Sequence, residues 1–93
     1  MGEYEDPVRI PITHEIDLHT FQPSEITLVL DAYFQACREK GIRRVRVIHG
    51  KGIGTLRRTV RDHLGKSSQV IRFWNADETG GGWGATFVEL RAL

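Results

Sequence analysis

The 93-residue sequence holds one cysteine, Cys37. That excludes an intramolecular disulfide, and it excludes a thiolate zinc site, which takes two to four cysteines. A lone thiol suits a reducing compartment, so a cytoplasmic location is expected. No apolar run approaches the ~20 residues that span a bilayer. The opening segment Met1-Gly2-Glu3-Tyr4-Glu5-Asp6 is acidic, where a secretory signal is basic and then apolar. No membrane partner is expected. Excess charge of one sign is also lacking, since 13 basic and 12 acidic residues leave +1. On its face that balance argues against a polyanionic partner. What remains is ordinary globular composition, 40% hydrophobic and 27% charged, at a length that holds one domain.

The near-zero total is a cancellation. Residues 1–37 hold one basic residue against seven acidic ones, a net of −6. Residues 38–72 hold eleven basic residues against Glu39 and Asp62, a net of +9. Residues 73–93 hold Arg91 against Asp77, Glu78 and Glu89, a net of −2. A short window this basic suits a polyanion such as nucleic acid. It equally suits a charged face that pairs with the acidic third.

Hydrophobic periodicity orders the elements. Residues 12–18 alternate with period two and predict a strand, with His14 a core or edge histidine by its parity with Ile16 and Leu18. Pro23 and Glu25 open a helix whose apolar stripe is Ile26, Val29, Leu30, Tyr33, Phe34 and Cys37, and Gly41 ends it. Residues 43–48 predict a second strand. Thr55 is the expected N-cap of a second helix, carried by Leu56, Val60 and Leu64 and stopped at Gly65. His63 near its end is expected at the surface, compensating the helix dipole. Strands follow at 70–74 and 86–90, separated by a glycine cluster. Residues 1–11, with Pro7 and Pro11, predict an extended arm ahead of a domain over 12–93. The order is βαβαββ. Right-handed crossovers make the first three strands parallel and put both helices on one face. The expected class is therefore α/β, an α+β two-layer sandwich with a mostly parallel four-stranded sheet.

In such sheets ligands gather at the carboxyl ends of the parallel strands. Asp17 and His19 close the first strand and His49 closes the second. The loop His49-Gly50-Lys51-Gly52-Ile53-Gly54 leads straight into a helix. Gly50, Gly52 and Gly54 let backbone N–H groups converge, and the helix start adds a positive end. Lys51, Arg57 and Arg58 add charge, so the loop predicts an anion cradle, although its spacing is not that of a Walker A loop. A glycine loop also serves as a plain tight connection. Two histidines beside a phosphate suit phosphodiester cleavage, one accepting a proton and the other giving one. Asp17 is placed to orient His19 or to recruit a metal, and Lys51 to stabilise charge on the phosphorus oxygens. A strand-end capping role for His19 and a loop hydrogen bond for His49 are the plain alternatives.

These residues also form recognisable motifs. Ile16-Asp17-Leu18-His19-Thr20 resembles the LDLHG signature of the Smr (small MutS-related) domain, with Thr20 where glycine is commoner. His49-Gly50-Lys51-Gly52-Ile53-Gly54-Thr55-Leu56-Arg57 resembles its HGKGxGxLR signature, and the segment 82–90 its GGxGATxVEL ending. The resemblance covers residues 12–91. It implies a fold like the C-terminal domain of translation initiation factor three. It also implies nucleic-acid binding and, in several members, endonuclease activity on DNA or RNA, including messenger RNA on stalled or collided ribosomes. Carried over, Asp17 and His19 match the first catalytic motif, and His49, Gly50, Lys51, Gly52 and Gly54 the second. A nucleic-acid-binding module without turnover is the alternative function.

Strand parity adds a binding face. Arg44 and Arg46 lie opposite Val45 and Val47, and Arg72 and Trp74 opposite Ile71 and Phe73. If the helices cover the valines, these arginines and Trp74 share the open sheet face, as a single-strand platform. The family resemblance implies single-stranded RNA, ribosome-bound RNA or branched DNA as the partner. Trp74 in a dimer contact or under the glycine loop is the competing placement. Trp83 either stacks on a base or plugs the end of the sandwich. No cofactor is firmly required. Asp17 with the two histidines leaves a divalent ion, Mg or Mn, open. A monomer or weak dimer is expected.

Overall fold

A computed structural model describes residues 12–50, 55–76 and 84–93 of the chain. The elements are β1 (Glu15–Asp17), a 3-10 turn (Leu18–Thr20), a second 3-10 turn (Pro23–Glu25), α1 (Ile26–Glu39), β2 (Arg44–Ile48), α2 (Thr55–Lys66), β3 (Val70–Asn75) and β4 (Ala85–Leu90). The expected arm at 1–11 lies outside the described residues.

Local chemistry sets the boundaries. The Glu25 carboxylate accepts the Gln22 N–H at 3.0 Å in a capping box that starts the turn into α1. Past Glu39 the chain must turn left-handed, and Gly41 does so at φ +80. Thr55 is the first helical residue of α2 rather than its cap, and the helix runs through Gly65 to Lys66, one residue past the expected stop. β1 is shorter than the alternating pattern. Its ladder covers Glu15 to Asp17, and Leu18 turns inward on the 3-10 turn instead.

The strand order is β1-β2-β4-β3. β1 pairs parallel with β2, while β4 lies between β2 and β3 and runs antiparallel to both. The first three strands therefore point the same way, as the crossovers require, within a mixed sheet. Ile71 falls in an irregularity of the β3–β4 ladder, between Val70 and Arg72, and its side chain is exposed.

One face of the sheet carries Ile16, Val45, Val47, Val88 and Leu90. These pack with Leu18, Ile26, Leu30, Phe34, Val60 and Leu64 as a single core. Tyr33 and Cys37 lie in the same core. The Tyr33 hydroxyl donates to the Thr13 carbonyl, and burial pushes both the phenol and the Cys37 thiol above their ordinary pKa values. His14 is exposed just before edge strand β1, so of its two expected places the edge holds and the core does not. Its carbonyl accepts the Arg46 N–H at 2.7 Å, so the backbone is tied to β2 while the side chain stays exposed. His63 is not a simple surface residue either. It is partly covered, and its Nε2 meets Asp31 Oδ1 at 2.7 Å, tying α2 to α1.

Candidate active site

The parallel pairing of β1 with β2 sets Asp17 opposite Ile48, so the carboxyl ends of the two strands are neighbours. His19 and Gly50, thirty-one positions apart, meet there. A Cβ on Gly50 would lie 2.7 Å from His19 Nε2 and 3.3 Å from Cε1. Gly50 also holds φ +82. The position therefore needs glycine twice, for its backbone conformation and for the ring lying against it.

Asp17 fixes that ring. Its Oδ1 accepts the His19 backbone N–H at 2.9 Å and the His19 ring at Nδ1 at 2.7 Å. The backbone N–H is the main cause that holds the Asp17 carboxyl below its ordinary pKa, and the hydrogen bond and charge of the His19 ring add to it. An ionised carboxylate only accepts, so Nδ1 carries a proton, and Nε2 is the ring nitrogen that faces Gly50. The pairing anticipated from strand parity is present by another route, because His19 sits on the turn after β1. Both side chains are more than half exposed, at 59% for His19 and 57% for Asp17.

His49 is placed differently. It is 4% exposed, and both ring nitrogens have partners. Nδ1–H donates to the Gly50 carbonyl at 3.1 Å, which leaves Nε2 to accept from the Thr86 hydroxyl at 2.9 Å. Burial is the main cause that lowers its pKa, with the charges of Arg57 and Arg61 adding to it and the Gly50 hydrogen bond opposing. Burial thus disfavours the charged ring of His49, whose two nitrogens are both engaged inside the fold; the sequence paired it with His19 as a second proton-transfer group. Thr86 was missed. The signal was a hydroxyl at a core-facing position of β4, sharing parity with Val88 and Leu90, because a buried hydroxyl needs a partner.

His19, His49 and Gly50 border one hollow of about 450 Å³, with Leu18, Phe21, Pro23, Leu56 and Arg57 also on its wall. The Arg57 guanidinium reaches from α2 to Asn75 Oδ1 at 2.8 Å, and Arg61 shares that oxygen at 2.6 Å. Arg57 Nε is buried with no partner among the described residues. Arg58 is exposed on α2. Lys51, Gly52, Gly54 and Trp83 lie outside the described residues.

The open sheet face holds the four residues expected on it. Two guanidinium groups lie over the Trp74 ring, Arg44 at 5.6 Å and Arg72 at 5.2 Å from its centroid, with Phe87 at 5.9 Å. Arg46 pairs with Glu15 at 2.8 Å and Arg72 with Glu89 at 2.6 Å. Hydrogen bonding to Arg72 holds Glu89 below its ordinary pKa. Other members of the basic window serve the fold. Arg38 donates to the Arg91 and Ala92 carbonyls, and Arg43 to Leu90. Both readings of the +9 window therefore have residues behind them, Arg46 pairing with the acidic third.

Among the described residues no three His, Cys, Asp or Glu side chains converge as a metal cage. Asp17 Oδ1 is already committed to His19 twice. The described residues alone therefore build no ready-made cage for a Mg or Mn ion. No helix among the described residues is long and apolar enough to cross a membrane.

Comparison with known proteins agrees with this architecture. The Smr domain family model matches residues 16–91. The endonuclease MutS2 of Finegoldia magna is 39% identical over 80 residues, which are 86% of this chain and 10% of that protein. The endonuclease MutS2 of Thermus thermophilus is 36% identical over 77 residues, 83% of this chain and 10% of that one. The chain thus spans about a tenth of the length of these relatives. The crystal structure of the Smr domain of Thermus thermophilus MutS2 superimposes with a TM-score of 0.79 at 35% identity, covering 85% of this chain and 99% of that one. YdaL, a stand-alone small MutS-related protein from Escherichia coli, gives 0.76 at 26% identity, covering 97% and 69%. With its Asp17–His19 pair, its His49–Gly50 turn and this match over most of its length, the chain belongs to the Smr domain family.

Proposed function

We propose that this Smr domain is an endonuclease that cuts RNA, with His19 as the proton-transfer group. The observation that carries the reading is the Asp17–His19 pair, whose Nε2 is held beside Gly50 at the carboxyl ends of two parallel strands. A histidine with its tautomer fixed by a carboxylate is suited to take a proton near neutral pH. RNA supplies an internal nucleophile. His19 Nε2 takes the proton of the 2′-hydroxyl, the 2′-oxygen attacks the adjacent phosphorus, and the departing 5′-oxygen takes a proton from solvent. A 2′,3′-cyclic phosphate results. His49 is assigned to holding the turn through Thr86 and Gly50, and Lys51 to the phosphate oxygens. Arg44, Arg72 and Trp74 are assigned to the strand outside the cut. The proposed substrate is single-stranded RNA, with messenger RNA on stalled ribosomes as the class the family resemblance implies.

Labelled single-stranded RNA and supercoiled plasmid, incubated with wild type and His19→Ala, test this. RNA is expected to be cut by wild type, leaving a cyclic phosphate, and His19→Ala to lose about 10²–10⁴-fold. Equal cleavage by both would remove His19 from the reaction. RNA binding without any cleavage product would favour the module without turnover. Nicking of the plasmid alone would move the substrate to DNA.

A further inference from the structure

We infer that the hollow beside His19 takes one unpaired nucleobase of the strand being cut, with Phe21 as its stacking surface. The inference rests on the proposed RNA cleavage and names its substrate recognition. Three separate parts of the chain build the hollow: the segment after β1, the turn after β2, and the first turns of α2. Its volume of about 450 Å³ lies within the range of small-molecule sites, ~300–1,000 Å³.

The chemistry of the wall selects the occupant. Leu18, Phe21, Pro23 and Leu56 are apolar, and a phosphate placed among them would lose its hydration, with Arg57 the one arginine on the described wall to answer it. A nucleobase has two apolar faces and polar edges. It can lie flat against such a wall while its edges meet polar lining groups such as Thr55 and Thr59. The phosphate belongs at His19 Nε2, on a residue that also lines the hollow. A phosphate held at His19 places the neighbouring base at the mouth of the hollow, since one nucleotide joins the two.

Phe21 is half-buried and packs on the core from outside the regular elements. The turn fixes it: its backbone N–H donates to the Leu18 carbonyl at 3.2 Å, closing the turn that also carries His19. The stacking surface and the proton-transfer group are therefore set by one four-residue unit, Leu18–Phe21. A base paired in a duplex cannot enter, so the hollow selects single strands or bases extruded from a helix.

The test maps the cut bond on a labelled RNA. The base on each side of that bond is then removed, one abasic site at a time. Wild type is expected to cut one of the two abasic strands about tenfold or more slowly than the complete strand. Phe21→Leu, which keeps an apolar side chain on the core, is expected to lose a similar factor on the complete strand and little on that abasic strand. Equal cutting of all three strands by wild type would overturn the inference and leave the hollow to an apolar side chain of a protein partner. Equal loss by Phe21→Leu on every strand would also overturn it, because that outcome marks a packing role. A second readout does not need cleavage. 2-Aminopurine at the same position in RNA bound to His19→Ala should be quenched, and quenched less when Phe21→Leu is added. Quenching that depends on Phe21 without cleavage by wild type would sink the nuclease reading and keep the base site. Cleavage that depends on His19 without quenching would do the reverse.

Discussion

Gly50→Ala separates the backbone role of this residue from its contact with His19, and Gly41→Ala is the internal control. The two glycines have nearly the same conformation, φ +82 and φ +80. A Cβ on Gly41 meets nothing within 4 Å, whereas one on Gly50 lies 2.7 Å from His19 Nε2. Both variants suffer the left-handed strain of a side chain, about 1 kcal/mol, which is roughly 4–8 °C of melting temperature in a domain this size. Gly50→Ala must also push the ring from 2.7 Å to at least the 3.4 Å of ordinary contact, about 0.7 Å. The cheapest response is for the exposed ring to swing off Asp17, because a surface pair of this kind contributes at most about 1 kcal/mol. The two variants should therefore melt within a few degrees of each other. Activity should divide them sharply. Misplacing a reacting group by ~1 Å costs on the order of 100-fold, so Gly50→Ala loses about that factor in RNA cleavage while Gly41→Ala stays near wild type. Imidazole nitrogen NMR should show His19 losing its fixed Nδ1–H tautomer in Gly50→Ala alone. In a His19→Ala background the extra melting cost of Gly50→Ala over Gly41→Ala should vanish. Equal cleavage by the two glycine variants, with an unchanged His19 tautomer in both, would refute the arrangement.

Five further outcomes are expected. His49 has its pKa lowered in the fold, so the stability it contributes is complete above its unfolded value near 6.5 and is lost as pH falls toward the folded one. Melting temperature should drop below pH 6.5 in wild type, and less so in His49→Gln. Asp17 is likewise held low, so its contribution is present above 3.8 and lost as pH falls through the folded value. The melting difference between wild type and Asp17→Asn should therefore close below that pH. RNA cleavage should persist in EDTA, and a complete loss restored by Mg or Mn would return a metal to the mechanism. On the open face, Trp74→Ala should weaken single-strand binding by about 1–3 kcal/mol, and Arg44→Ala should flatten the salt dependence of binding by about one unit of slope, both measured by fluorescence titration.

Much of the architecture was legible because it follows local rules. The stripe from Ile26 to Cys37 and the left-handed stop at Gly41 define α1 with nothing but periodicity and backbone sterics. Arg44, Arg46, Arg72 and Trp74 fell on one face because parity in a strand is strict. The place of β4 was not legible. Crossover handedness fixes strand direction but says nothing of which strand sits beside which, and only the ladders put β4 between β2 and β3. In the site, the Asp17–His19 pair is two residues apart and could be read. The meeting of His19 with Gly50, and of His49 with Thr86, joins segments that sequence spacing does not relate. The opposite fates of the two histidines follow from that same blindness. One ring rests on an exposed turn and the other is drawn under β4, though both close strands of the same parallel pair.

The central position of β4 also sets an order of events during synthesis. Every other element is made before it, yet β3 has no neighbour in the sheet until β4 arrives. Until the chain through Leu90 has left the ribosome, the N-terminal portion can form at most the β1–β2 pair with α1 and α2. His49 lacks Thr86 for all of that time, so the turn that seats Gly50 beneath His19 has no anchor. The pocket at His19 and Gly50 is thus completed by the strand made last among the described elements, and the two histidines reach their final surroundings only as β4 is inserted.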